Sequence, residues 1–126
     1  MTTTEITQEN FEATVADGGI VLLYFWADWC FPCRSFGPVY DSASAENPDI
    51  VFGKVDTEAE QQLAGGFGIT SIPTVMAFRD GVLVFSQPGA LKKAGLAQLI
   101  EAVRGLDMDD VRSKLAAQSA ESGTTR

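Results

Sequence analysis

Ile20-Val21-Leu22-Leu23-Tyr24-Phe25-Trp26-Ala27-Asp28-Trp29-Cys30-Phe31-Pro32-Cys33 is the stretch that decides the architecture of this chain. The run Ile20–Trp26 is apolar at both odd and even positions, which predicts a central strand covered on both faces. Arg34 to Glu46 then has helical character, with Pro38 inside predicting a kink and Asn47-Pro48-Asp49 as the stop. A C-x-x-C pair therefore falls where a buried strand gives way to a helix, with its first sulfur over the helix N-terminus. Unpaired backbone N–H groups and the helix dipole favour thiolate over thiol there. Pro32 suits this first turn, where backbone donors are spare and a fixed φ is already helical. Cys30 and Cys33 are the only cysteines, so all sulfur chemistry belongs to this pair.

Outward from that stretch, Thr7 reads as the cap of a helix from Gln8 to Ala16, broken by Asp17-Gly18-Gly19. Ile50–Val55 reads as a second strand, and Thr57 to Ala64 as a short helix capped by Thr57 with Glu60 three residues on. Gly65-Gly66-Phe67-Gly68 reads as a flexible connector. Thr74–Phe78 and Val82–Phe85 flank Asp80-Gly81, a strong hairpin signal. An amphipathic helix follows from about Leu91 to Val103, with Leu96, Leu99, Ile100 and Val103 on one face. The order, a helix and then β-α-β-α-β-β-α, predicts an α/β fold around a central mixed sheet flanked by helices on both faces. Beyond Gly105, Asp107 caps a predicted extra C-terminal helix from Met108 to about Gln118. Its apolar stripe is only Met108, Val111 and Leu115, which fits an appendage folded back on the body better than a partner-binding helix.

Composition narrows the function. The chain has 126 residues, 45% of them hydrophobic, enough for one domain with its own core and no need of a disulfide staple. A lone cysteine pair in such a chain reads as redox-active. With no histidine, a Cys–His nucleophile pair is excluded, and two cysteines alone fall short of a zinc site unless two chains share the metal. A net charge of −8 argues against nucleic acid and anionic membranes as partners. No stretch is long and apolar enough to span a bilayer, and the start, Met1-Thr2-Thr3-Thr4-Glu5, lacks a basic region and an apolar run. A cytoplasmic location is the expectation, with the pair held mostly as dithiol.

The chain resembles the thioredoxin family. The matching residues are Phe25 to Cys33, Lys54-Val55-Asp56, Gly68-Ile69-Thr70-Ser71-Ile72-Pro73-Thr74, Phe78-Arg79-Asp80-Gly81 and Gly89-Ala90, in order over roughly residues 5 to 104. The resemblance implies the thioredoxin fold over residues 1–105, leaving 106–119 as the extra helix and 120–126 as a flexible tail. It implies protein-disulfide reductase activity, with Cys30 the exposed attacking thiolate and Cys33 the inner, resolving thiol. It implies a cis bond at Pro73 that turns the Ile72 backbone toward the sulfurs. Trp29, Phe31, Pro32, Ile72, Pro73, Gly89 and Ala90 would then form an apolar docking patch. No bound cofactor or metal is expected. Electrons would come from a separate thioredoxin reductase-like flavoenzyme and pass to disulfide-containing proteins, with the chain a monomer that maintains redox balance.

Two residues depart from the family pattern. Tyr24 stands where relatives carry a buried aspartate beneath the pair, and a phenol cannot serve as a strong base near pH 7. It can still hydrogen-bond, and an ordinary buried aromatic is the plainer reading. Lys54 loses the usual counter-ion, and either favours thiolate or reaches to solvent. Phe31 replaces the usual glycine, enlarging the apolar collar and leaving the redox midpoint open. A thiol oxidase or isomerase, and a redox-independent binding or chaperone subunit, stand as the alternatives.

Overall fold

The computed structural model describes residues 3–124, with side chains as far as 117. In chain order the elements are β1 (Thr3–Glu5), α1 (Phe11–Ala16), β2 (Ile20–Trp26), α2 (Phe31–Glu46), β3 (Val51–Asp56), α3 (Gln61–Gly66), β4 (Thr74–Arg79), β5 (Val82–Pro88), α4 (Lys93–Arg104) and α5 (Met108–Thr124). The sheet order is β1-β3-β2-β4-β5. β1 and β2 run parallel to β3, while β4 is antiparallel to both β2 and β5.

β2 lies at the centre, which explains why it is apolar at every position. Leu22 and Tyr24 point into a cluster with Phe36, Tyr40, Phe52, Leu96, Ile100 and both cysteines, beneath α2 and α4. Val21, Leu23 and Phe25 point the other way, among Ile6, Val15, Val55, Leu63, Met76 and Phe78, beneath α1 and α3. Each large side chain buried this way stabilises by about 1.5–3 kcal/mol relative to exposure. The strand that ends at the cysteine turn is thus anchored on both faces.

β1 is not predicted from the sequence. Thr3-Thr4-Glu5 is short and polar, and it forms an edge strand because Ile6 beyond it is fully buried and donates its N–H to the Lys54 carbonyl at 2.9 Å. Gly53 makes room for this: a Cβ there would lie 2.5 Å from Ile6 Cγ1 and 3.1 Å from the Leu22 carbonyl oxygen. Thr7 and Asn10 exchange side-chain and backbone hydrogen bonds at 2.8 and 3.3 Å, a capping box with asparagine as its second member. Regular helix begins only after it, at Phe11.

The third helix also starts later than predicted. Asp56, and not Thr57, closes the turn before it, accepting from the N–H groups of Glu58 and Ala59 at 2.9 and 3.3 Å. Thr57 is drawn away because its N–H and hydroxyl both donate to the Trp26 carbonyl, at 2.9 and 3.0 Å. Gly65 and Gly66 belong to α3 and are not a connector. The Asp80-Gly81 turn has φ of 52° and 84°, the left-handed pair that a two-residue hairpin requires. α2 runs unbroken through Pro38.

At the far end, Arg79 Nη1 donates to the carbonyls of Val103, Arg104 and Leu106 at 2.8, 3.0 and 2.7 Å, satisfying acceptors at the C-terminus of α4. Asp107 caps α5 as predicted, accepting from Asp109 and Asp110 N–H at 3.1 and 3.2 Å. Of the predicted stripe Met108 is buried, Val111 half-buried and Leu115 exposed. α5 continues past Gln118 to Thr124, so the predicted tail is helical there, and 125–126 lie outside the described residues.

Candidate active site

Cys30 is the N-cap of α2, with extended φ and ψ of −81° and 109°. Its Sγ accepts the Cys33 N–H at 3.2 Å, taking up one of the donors that the helix end leaves without a partner. Pro32 falls in the first turn, where its missing N–H deprives no helical carbonyl. The Cys30 N–H is held by the Ala27 carbonyl at 3.1 Å, which fixes the turn out of β2. The two sulfurs form a disulfide with Cα atoms 5.3 Å apart. Cys30 is not exposed as expected: it is 3% accessible and Cys33 4%, both packed within the α2–α4 cluster.

Around this buried pair the surface is apolar. Trp29 is 67% and Phe31 79% accessible, the two most exposed large apolar side chains described. The Ile72–Pro73 peptide bond is cis, and Ile72 packs against the cluster that holds both cysteines. Thr74 Oγ1 donates to the Ser71 carbonyl at 2.6 Å, tying that loop down. Gly89 N–H donates to the Pro73 carbonyl at 2.7 Å, bringing Gly89 and Ala90 beside the cis-proline. Trp29 and Ile72 line one open groove with Thr57, Gln61, Ile69 and Thr70.

The family model for thioredoxin matches residues 2–102. The chain belongs to the thioredoxin family. It is 57% identical over 121 residues to a Streptomyces coelicolor protein named "Putative thioredoxin 2", covering 96% of this chain and 90% of that one. Thioredoxin from Bacillus subtilis is 35% identical over 101 residues, 79% of this chain and 96% of the relative. The solved structure of Plasmodium falciparum thioredoxin superposes with a TM-score of 0.74 at 32% identity, over 79% of this chain and 98% of that one. The fold is the thioredoxin fold with a C-terminal helix added, and the activity is dithiol–disulfide exchange through the C-x-x-C pair.

Against that thioredoxin background, Tyr24 sits directly beneath the pair. Its hydroxyl donates to the Cys33 carbonyl at 2.8 Å, and its ring packs edge-on to Phe36 and Tyr40 with centroids 4.8 and 5.1 Å away. Burial, and then the negative charge of Asp41, push its phenol up to about 12, so it stays neutral at physiological pH. Tyr40 is pushed well above its ordinary value for the same first reason, and its hydroxyl donates to the Gly53 carbonyl at 2.8 Å. Lys54, half-buried, rests its ammonium 5.4 Å from the Trp26 ring centroid.

Three contributors escape a sequence reading. Glu58 Oε1 accepts from the Trp29 indole N–H at 2.8 Å, orienting the exposed ring beside Cys30. Arg34 places its guanidinium 5.8 Å from the Phe31 ring centroid and donates to the Asp28 carbonyl at 3.4 Å. Arg34 and Asp28 line a cavity of about 370 Å³ with Tyr24, Trp26, Cys33 and Lys54. Among the described residues no group of three or more His, Cys, Asp or Glu is placed to hold a metal.

Proposed function

We propose that this thioredoxin is a general protein-disulfide reductant in which Cys30 attacks and Cys33 resolves. The observation that carries the assignment is the position of Cys30 Sγ at the α2 N-cap, accepting a backbone N–H. Such a site favours the anion by about 0.3–1 kcal/mol, a roughly two- to fivefold gain in thiolate. In the dithiol form, the Cys30 thiolate attacks one sulfur of a substrate disulfide, and the other substrate sulfur leaves as thiolate and takes a proton. Cys33 then gives up its proton and attacks Cys30 Sγ. The intermolecular S–S bond breaks, the second substrate sulfur is protonated, and the Cys30–Cys33 disulfide forms. Two electrons have moved from the protein to its substrate.

Trp29, Phe31, Pro32, Ile72, Pro73, Gly89 and Ala90 serve as the docking surface, where an extended substrate segment pairs with the Ile72 backbone. A thioredoxin reductase-like flavoenzyme restores the dithiol, no cofactor is bound, and the chain acts as a monomer in the cytoplasm, where dithiols are maintained. The test is insulin disulfide reduction with dithiothreitol, comparing the native protein with Cys30→Ser and Cys33→Ser. Loss of turnover in both supports the roles; undiminished turnover in Cys30→Ser rejects them and leaves a binding subunit. Equilibration against glutathione separates a reductant from an oxidase or isomerase by the midpoint it returns.

A further inference from the structure

Phe31 and Arg34 stand three residues apart on the first turn of α2 and so share one face of that helix. The Arg34 guanidinium lies 5.8 Å from the Phe31 ring centroid, within cation–π reach, and its Nη2 donates to the Asp28 carbonyl at 3.4 Å. Phe31 falls between the cysteines and Asp28 just before them, so the cation is held alongside the turn that carries Cys30. Its charge is not neutralised. Arg79, Arg104, Arg112 and Lys114 each have a carboxylate within 4.0 Å, whereas among the described residues none lies that close to Arg34. Lys92 and Lys93, beyond Ala90, are exposed, and among the described residues no hydrogen bond, ion pair or ring contact fixes either ammonium. Arg34 is therefore an exposed, braced and unneutralised cation at the edge of the docking surface. The other exposed ring has the opposite neighbour, since the Trp29 indole N–H donates to Glu58 Oε1 at 2.8 Å. The surface around the cysteines thus presents a carboxylate at one ring and a guanidinium at the other.

We propose that Arg34, braced by Phe31, is a specificity-determining residue that recognises an acidic side chain beside the substrate disulfide, on the flank that docks over Phe31. This rests on the exchange and docking roles assigned above and names the substrates they favour: disulfide segments with an aspartate or glutamate on that flank. A guanidinium fork matches a carboxylate with two parallel hydrogen bonds, and the one contact to Asp28 leaves the rest of the fork free. The ring and the Asp28 carbonyl already restrict the long side chain, so less rotamer freedom is lost when the carboxylate arrives. Apolar docking over Phe31 also removes water from around the pair, which strengthens it beyond an ordinary exposed ion pair. An acid on the other flank meets Glu58 and gains nothing.

The test uses the full-length reduced protein and synthetic disulfide peptides that differ only in a glutamate or a glutamine, placed on one flank of the attacked cysteine or on the other. Second-order rates of peptide-thiol release are measured for each, and the glutamate-to-glutamine ratio is the readout. Any change in the reactivity of the protein's own sulfurs alters both rates alike and cancels in that ratio. The native protein is expected to reduce the glutamate peptide about three- to tenfold faster on one flank only. Arg34→Gln should bring that ratio to about one, and Arg34→Lys, which keeps the charge without the fork, should retain only part of it. Added salt should lower the native ratio. Far-UV circular dichroism and urea midpoints confirm that each variant is folded.

Equal rates for the glutamate and glutamine peptides at both placements overturn the proposal. So does a preference that persists in folded Arg34→Gln, which assigns it to other cations such as Lys92 and Lys93, or an equal gain on both flanks, which assigns it to no fixed pair. Failure of the exchange roles themselves appears elsewhere, as insulin turnover that survives Cys30→Ser.

Discussion

Replacing Tyr24 with phenylalanine removes a single O–H from the base of the active site and leaves the ring packing intact. The deleted hydroxyl donates to the Cys33 carbonyl at 2.8 Å, in a site where Tyr24 is 2% accessible, so water cannot readily substitute for it. A neutral buried hydrogen bond contributes about 0.5–1.5 kcal/mol, and the Cys33 carbonyl, being inside α2, keeps its helical acceptor role in the variant. The phenyl ring of the variant keeps the contacts to Phe36 and Tyr40, so no packing loss is added to that figure. We expect Tyr24→Phe to be destabilised by about 0.5–1.5 kcal/mol at pH 7, with an unchanged denaturant slope and a Tm lower by roughly 2–8 °C. Urea unfolding of the oxidised protein is the assay.

A second pH separates the hydroxyl from any general loosening. The Tyr24 phenol is raised in the folded state to about 12 from an ordinary value of 10.0. A folded value above the unfolded one means its contribution is fully present below about pH 10 and is lost as pH climbs toward 12. The gap between native protein and Tyr24→Phe should therefore narrow when both are measured above pH 10. Tyr40 is present in both proteins, so its own titration cancels in the difference. A gap below about 0.3 kcal/mol at pH 7, or one that widens at high pH, refutes the reasoning.

Phe31→Gly should change the redox midpoint or the preference among partner proteins and leave the fold intact, because the ring is 79% accessible and packs on no core. Equal glutathione equilibration and equal turnover with a flavoenzyme reductase would count against it. Tyr24→Asp should raise the apparent thiol pKa values of the coupled pair by adding a negative charge beneath it, read from thiolate absorbance against pH. It should also lose about 3–5 kcal/mol of stability, since the ring fills the space between Phe36 and Tyr40. Gly53→Ala should cost about 1–3 kcal/mol in urea unfolding, because the new methyl meets Ile6 Cγ1 at 2.5 Å and a backbone oxygen at 3.1 Å. A wild-type midpoint there would mean that β1 shifts freely.

What could be read from the sequence was local. β2 is legible because a run buried on both faces has no polar alternation. The cysteine turn is legible because proline and an N-cap sulfur suit a helix start, and the hairpin because Asp-Gly accepts left-handed φ at both positions. Asp107 could be named as a cap because its partners lie two and three residues away. The errors arose where distant partners decide. Thr57 looks as good a cap as Asp56 until Trp26, thirty-one positions earlier, claims its hydroxyl. β1 carries no apolar pattern of its own and exists because Ile6 has a place over Gly53.

The same division runs through the active site. The C-x-x-C motif identifies the exchange chemistry, since two sulfurs at a helix start can do little else. The environment of the inner sulfur comes from a different source: the Tyr24 hydroxyl on the Cys33 carbonyl, and the Lys54 and Arg34 cations around one cavity. These groups arrive from β2, β3 and α2, so no spacing in the chain links them. Tyr24 alone, read as sequence, is most plainly an ordinary buried aromatic. In the fold its hydroxyl is a donor that grips the helix turn carrying Cys33, while Lys54 on the neighbouring strand rests against Trp26. One hydroxyl thus joins the central strand to the helix turn that carries the inner sulfur, a link between β2 and α2 that neither segment's own pattern states.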